Sequence, residues 1–378
     1  MRRRDFLGAS AATLALSGYP IHGFTKDAPR GRIIAVILEG GLDGLTAVPP
    51  VGDDSLERTR RPLLASHPLM LNPFFAIHPN LRNFADLLMR NEAAIVHATA
   101  FPYTGRSHFE GQDIIQTGNM TPFASQSGWL GRAMEIAGVA GRAFSLDTPT
   151  IIRGTKSIEN FYPASLMGSE DADQETLAAL VDAHDGEAKE VLIELQSISK
   201  LPPRPIIRDP VSLAIEAGKA MQDDAGPRVA VIRIPEFDTH ANQGADAGRH
   251  PALLSILDKV FAGLKHGLGA RWSDAVALTL TEFGRTVSVN GSAGTDHGYG
   301  SVGLLAGGLL GKANVIANWP GLSNRDLYQD RDLYATIDYR SVCAAVIEAA
   351  LQIDHDVIAD RVFNEPKLKR IYNVLFSA

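Results

Sequence analysis

Ile33-Ile34-Ala35-Val36-Ile37-Leu38, running into Glu39-Gly40-Gly41-Leu42-Asp43-Gly44, is the stretch that decides the fold. An unbroken apolar run rich in β-branched residues suits a strand buried on both faces, as in a parallel sheet. The glycines behind it let the backbone turn tightly and approach a ligand. Three further runs share the form. Ala93-Ala94-Ile95-Val96-His97 leads to Phe101-Pro102-Tyr103, Val229–Ile234 to Phe237-Asp238-Thr239-His240, and Ala275–Leu280 to Glu282-Phe283-Gly284-Arg285. Helical spacing lies between and beyond them, at residues 81–89, from 112 onward, and at 211–221, 251–264 and 339–351. Alternating strands and helices predict a doubly wound, mostly parallel α/β sheet with helices on both faces.

Residues 169–200 break the alternation: they are acidic, rich in Glu, Asp and Ala, and end at the stiff connector Leu201-Pro202-Pro203-Arg204-Pro205. The stretch from about 140 to 210 therefore reads as a partly helical insertion in a single domain spanning 27–378. The chain opens Met1-Arg2-Arg3-Arg4-Asp5-Phe6-Leu7, then a weakly apolar run to Leu16 interrupted by Gly8, Ser10 and Thr13. Adjacent arginines, a spacer and Phe-Leu form the twin-arginine pattern, so residues 1–26 are expected to be a signal peptide. Cleavage is expected between Ser17 and Asp27, after the twin-arginine export machinery has delivered a folded protein to the periplasm or the exterior. The alternative is a disordered basic tail. A spanning helix needs about 20 apolar residues, so no stable membrane anchor is expected. Hydrophobic residues at 45% and charged residues at 21% are an ordinary globular balance. The net charge of -7 is spread without a basic stripe, which argues against nucleic acid as a partner. Cys343 is the single cysteine, so an intrachain disulfide is excluded.

Ligands of open α/β sheets bind beyond the carboxyl ends of the strands, and acidic residues collect there. Asp43 follows the first strand, Asp238 and His240 the third, and Glu282 the fourth, with Asp296 and His297 in the glycine-rich loop Gly294-Thr295-Asp296-His297-Gly298. Carboxylates with imidazoles suit one divalent metal ion, or two sharing a bridging carboxylate. Each residue also has a plainer role: Asp43 shaping a turn, His240 satisfying a buried hydrogen bond, Glu282 pairing with Arg285. Ser107 stands where a helix should begin, with Arg106 beside it, a place where backbone N–H groups favour an anion. It is a candidate nucleophile, or an N-cap completed by Glu110 in a capping box.

The motifs Gly40-Gly41-Leu42-Asp43-Gly44-Leu45, Ser107-His108-Phe109-Glu110-Gly111-Gln112-Asp113, Gly128-Trp129-Leu130-Gly131-Arg132, Phe237-Asp238-Thr239-His240-Ala241-Asn242-Gln243, Thr281-Glu282-Phe283-Gly284-Arg285-Thr286, Gly294-Thr295-Asp296-His297-Gly298 and Asp338-Tyr339-Arg340 occur in that order. Together they resemble the exported bacterial family called domain of unknown function 1501, from about Arg32 to Leu351. That family is grouped with the alkaline phosphatase and sulfatase superfamily, so the resemblance implies a two-metal hydrolase fold. It would make Asp43 the first ligand and Ser107 the nucleophile candidate, followed by Asp238, His240 and Glu282, with His297 closing the site and Asp296 beside it. Some positions depart from the pattern. Asp238 and His240 are more closely spaced than in well-studied phosphatases, and Glu282-Phe283 stands where Asp-His is usual. One imidazole is then expected to be missing, a set richer in oxygen that leaves Zn, Mn, Mg or Ca open. Ser107-His108-Phe109 lacks the Pro and Arg context for conversion to formylglycine, which disfavours a sulfatase. Within the family, Thr46 stands where Asn is common and Glu236 where Gly is common.

The expected function is an exported metal-dependent hydrolase of phosphate esters or related anionic esters, small or polymer-borne. Arg106 or Arg285 would neutralise charge in the transition state. The alternatives are a non-catalytic exported binding or assembly protein, and a hydrolase of a non-phosphate polymer bond.

Overall fold

The computed structural model describes residues 29–163, 166, 174–183, 186, 189–190, 192–193, 207–311 and 314–376. The expected signal, and much of the expected insertion, lie outside them. Strand β1 (Arg32–Leu38) runs at the centre of a nine-stranded sheet, with β2 (Ala93–Ala100), β3 (Gly141–Ala143), β4 (Ile158–Asn160), β5 (Val229–Ile234), β6 (Ala275–Leu280), β7 (Ser301–Ala306), β8 (Asn314–Ile316) and β9 (Ile337–Asp338). The order is β8-β2-β7-β6-β1-β5-β3-β4, with β9 beside β2. All pairings are parallel except those of β7, which runs antiparallel to both β2 and β6. The doubly wound α/β expectation holds.

The central strands are buried on both faces because side chains alternate across a sheet. Ile33, Ala35 and Ile37 enter one apolar core, and Ile34, Val36 and Leu38 the other. Helices α2 (His108–Thr117), α3 (Trp129–Ala137) and α6 (Tyr339–Leu351) cover the first face. Helices α1 (Arg82–Met89), α4 (Pro210–Ala220) and α5 (Arg249–Leu268) cover the second. Among the described residues no helix is long and apolar enough to cross a membrane.

The antiparallel strand matters for the site. The carboxyl ends of β1, β2, β5 and β6 lie along one edge, and because β7 runs the other way, its amino end lies there too. The loop before Ser301 is thereby delivered to the same edge. Strands β3 and β4 extend the sheet into the stretch where an insertion was expected to begin.

Candidate metal centre

Three residues from three different loops converge on this edge. His108 opens α2, Asp238 follows β5 and His297 precedes β7, and each offers one ligand atom within 4.8 Å of the others. Asp238 Oδ2 lies 3.4 Å from His108 Nε2, and Oδ1 lies 3.2 Å from His297 Nε2. With ligand bonds of about 2.0–2.1 Å, the edge of a tetrahedron is about 3.3 Å, so these spacings suit two imidazoles and a carboxylate sharing one ion.

The rings are held in the form that ligation needs. His297 Nδ1 donates to the carbonyl of Arg106 at 2.9 Å, and His108 Nδ1 donates to Glu282 Oε1 at 2.9 Å. A carbonyl and a carboxylate only accept, so each imidazole carries its proton on Nδ1 and turns a bare Nε2 to the centre. Glu282 is buried, and its Oε1 also accepts from Gly40 N–H at 2.7 Å while Oε2 takes Gln112 Nε2 at 2.9 Å. It stands behind His108 as an orienting group. That hydrogen bond raises the His108 pKa against the opposing effect of burial, whereas burial lowers that of His297.

His240 stands alongside, outside that group of three. Its Nε2 is 2.9 Å from His297 Nε2 and 2.9 Å from Asp238 Oδ1, while its Nδ1 is 3.3 Å from Asp296 Oδ1. Asp296 also accepts from Asn290 Nδ2 at 3.2 Å, and this bond, ahead of His240, holds its pKa down. His240 Nε2 thus lies 2.9 Å from a carboxylate oxygen and from a second ring nitrogen, so a proton on it can be donated to either.

The arginines expected at the reacting group are committed elsewhere. Arg285 is fully buried; it donates to the carbonyls of Gly40, Gly41, Phe237 and Thr295 and to Asp238 Oδ1 at 2.6 Å. It ties the β1, β5 and β6 turns together. Burial alone would raise the pKa of Asp238, but the Arg285 bond and charge, with His240 and His108, lower it. Gly41, at φ +89°, has to be glycine, since a Cβ there would lie 2.8 Å from the Phe283 ring and 3.2 Å from Arg285 Nε. Arg106, at φ +58°, pairs with buried Asp332 at 2.5 Å and reaches Gln329 Oε1 at 2.8 Å. Its contribution to the centre is its carbonyl.

Ser107 is the N-cap residue of α2, yet its side chain makes no capping bond. The capping box does not form, because Glu110 accepts from the Tyr103 hydroxyl at 2.7 Å and Ser107 N–H donates to the same hydroxyl at 2.9 Å. Asp43 is not brought into the ligand group. It is fully buried, and both oxygens face Arg60, Oδ2 at 2.6 Å from Nη1 and Oδ1 at 2.8 Å from Nη2. Thr46 and Gln243 add donors at 2.7 and 2.5 Å. Burial would raise its pKa, but Arg60 outweighs that and holds Asp43 below the usual carboxylate range.

Residues 217–362 match the model of a family described as a protein of unknown function, DUF1501. The likeness to DUF1501 therefore holds over the stretch that carries Asp238, His240, Glu282, Asp296 and His297. Asp43, Ser107 and His108 lie before it. No curated protein matches the sequence. Among solved structures, the chain is similar to Ps i-CgsB in complex with k-i-k-neocarrahexaose, at 11% identity, covering 89% of this chain and 77% of that one, with a TM-score of 0.42. It is also similar to the C-terminal periplasmic domain of EcEptC from Escherichia coli in complex with Zn, at 10% identity, 74% and 73% coverage and a TM-score of 0.38. The phosphonate monoester hydrolase of Agrobacterium radiobacter matches at 11% identity, 76% and 71% coverage and a TM-score of 0.34. With TM-scores this low, the functional reading rests on the residues themselves.

Sequence reasoning passed over His108, although the motif containing it was in view. The available signal was position: His108 and Glu282 each follow a strand, and both strands flank β7. One imidazole was expected to be missing because Glu282-Phe283 stands where Asp-His is usual, and His108 stands beside Glu282. Counting His108, the group has two imidazoles and one carboxylate, with a third imidazole adjacent.

Proposed function

We propose that this chain is an exported metal-dependent hydrolase of phosphate esters or related anionic esters, with His108, Asp238 and His297 holding one divalent ion. The observation that carries the proposal is the convergence of His108, Asp238 and His297, each offering one ligand atom within 4.8 Å of the others, with the Nδ1 of each imidazole tied back to an acceptor. Two nitrogen donors and one oxygen suit Zn or Mn better than Mg or Ca, which prefer all-oxygen sets. A bound ion would polarise the ester as a Lewis acid.

The chain's own residues supply the rest. His240 is more exposed than His297 and is backed by Asp296, so it is the group placed to hold and pass a proton at Nε2. The Ser107 hydroxyl, next in sequence to His108 and free of a capping bond, is the nucleophile candidate. Arg285 and Glu282 position Asp238 and His108, and Arg106 positions His297. Export by the twin-arginine route is supported by Arg3-Arg4-Asp5-Phe6-Leu7, and suits a protein that acquires its ion before leaving the cytoplasm.

The test is hydrolysis of 4-nitrophenyl phosphate by purified protein with added Zn or Mn, read beside its metal content. Asp238→Ala and His297→Ala are expected to lower both metal retention and turnover by about 100-fold or more. Full turnover in both variants sinks the proposed centre. Retained metal without turnover on a panel of phosphate, phosphonate and sulfate esters favours a binding protein.

A further inference from the structure

Three strand ends each deliver one acid to this edge, and they meet different fates. Asp238, after β5, faces the imidazoles. Glu282, after β6, is held by Gly40, His108 and Gln112. Asp43, after β1, is held by Arg60, Thr46 and Gln243, and the Arg60 side chain is wholly buried. Gln243 links this floor to the centre above. Its Nε2 donates to Asp43, while its Oε1 accepts from the hydroxyls of Thr239 at 3.1 Å and Thr295 at 2.8 Å. Thr239 lies between Asp238 and His240, and Thr295 precedes Asp296. A permanent positive charge thus sits one hydrogen-bonded layer beneath the candidate ligands.

We propose that Arg60 is a resident cation in the place a second divalent ion would need, so that this centre takes one ion per chain. The inference rests on the metal-centre reading and fixes its stoichiometry. An ionised carboxylate offers about four lone-pair positions, and side-chain donors from Arg60, Thr46 and Gln243 already take up those of Asp43. An incoming ion would have to displace a two-pronged guanidinium that has no solvent to move into. Arginine does not lose its proton, so a change of pH does not open the position as it does for a buried lysine. Arg60 Nη2 also donates to the Thr286 carbonyl at 2.9 Å, which anchors the guanidinium from the β6 side.

The consequence is chemical. Two ions about 3.5–4 Å apart can clamp both the attacking and the leaving oxygen of a displacement, and a single-ion centre cannot. Charge on the second oxygen would then be met by hydrogen-bond donors of the chain or by water, and His240 is the imidazole left beside the centre.

The test is an ion count. Metal-free protein is loaded with Zn(II) or Mn(II), freed of excess by gel filtration, and assayed by mass spectrometry for metal per chain. One ion per chain is expected, and two overturns the proposal. A count of zero fails differently: it removes the centre itself, and the stoichiometry with it. Arg60→Met, checked for folding by circular dichroism, is expected to raise the count towards two as Asp43 is released, while Arg60→Lys keeps it at one. A folded Arg60→Met protein that stays at one ion when saturated shows that Arg60 holds no cation position. If that variant does not fold, the count on the unaltered chain decides.

Discussion

Asp43 and Asp238 end neighbouring parallel strands, carry the same functional group and point to the same edge, yet they do opposite things. The Asp43 side chain is 1% exposed and paired with a wholly buried arginine, whereas that of Asp238 is 40% exposed and ringed by three imidazoles. The arginines explain the difference. Arg60 spends both terminal nitrogens on Asp43, while Arg285 gives Asp238 one bond and spends the rest on carbonyls. A carboxylate saturated by its own protein is part of the frame. One that is held ionised yet left partly open can serve a ligand.

The largest effect should therefore come from breaking the frame. Asp43→Asn leaves the Arg60 charge buried without its counter-ion, which costs about 3–5 kcal/mol. Asp238→Asn also takes the counter-ion from buried Arg285, but that guanidinium keeps its carbonyl acceptors and Asp238 is 40% exposed, so the loss should be smaller, about 1–3 kcal/mol. Denaturant unfolding of the two metal-free variants checks the contrast, and equal losses would erase it. Acid sensitivity comes next. Burial lowers the pKa of His250, near Asp43, and of His97 to about 4, against 6.5 in a free side chain. Each ring is neutral when folded and gains its proton more readily when unfolded. Stability is thus full above pH 6.5 and declines as the pH falls towards 4, by on the order of 3 kcal/mol per ring. His250→Met should remove about half of that slope, because His97 remains, and urea midpoints between pH 7 and 4 measure it.

The frame was legible in the sequence, and the partners were not. Val229–Ile234 and Ala275–Leu280 are apolar runs bounded by turn residues, so they read as strands with their observed limits. Strand Ser301–Ala306 escaped notice because Gly303 interrupts it, and only the structure shows why: a Cβ there would lie 2.4 Å from the Tyr339 hydroxyl. Helix α2 begins at His108 with Ser107 as its N-cap residue, where a helix start was expected, and that places His108 in the first turn facing the centre. Some motifs that carry the family likeness serve packing. A Cβ on Gly131 would lie 1.9 Å from the Arg153 carbonyl oxygen, and Asp338 caps α6 through Arg340 N–H at 3.0 Å. Arg60 was invisible for another reason. It lies in a short helix outside every motif, and nothing local announces that its partner is 17 residues back.

Glu282 tests whether an orienting carboxylate differs from a ligand. Glu282→Gln keeps the shape but weakens the hold on His108 Nδ1, so metal affinity should fall by about 10–100-fold. That is less than the loss expected for Asp238→Ala, and competition with a chelator ranks the two. If Glu282→Gln loses as much as Asp238→Ala, Glu282 belongs with the ligands.

The smallest effect lies in the backbone beside Asp238. Glu236 sits at φ +82°, a conformation that disfavours side chains, and its charge partner among the described residues is Arg249 at 3.3 Å on the surface. Such a surface pair contributes little, so the strain is not offset there. Glycine relieves the strain but enlarges the unfolded ensemble, and the net gain for Glu236→Gly should be about 0.5–1 kcal/mol. The same change loosens the turn that aims Asp238, so metal affinity should fall as stability rises. Thermal unfolding of the metal-free protein, read beside ion affinity, checks the pair. If both rise together, Glu236 is a packing accident. If they move apart, the strained turn helps to hold Asp238 open while its counterpart Asp43 stays closed.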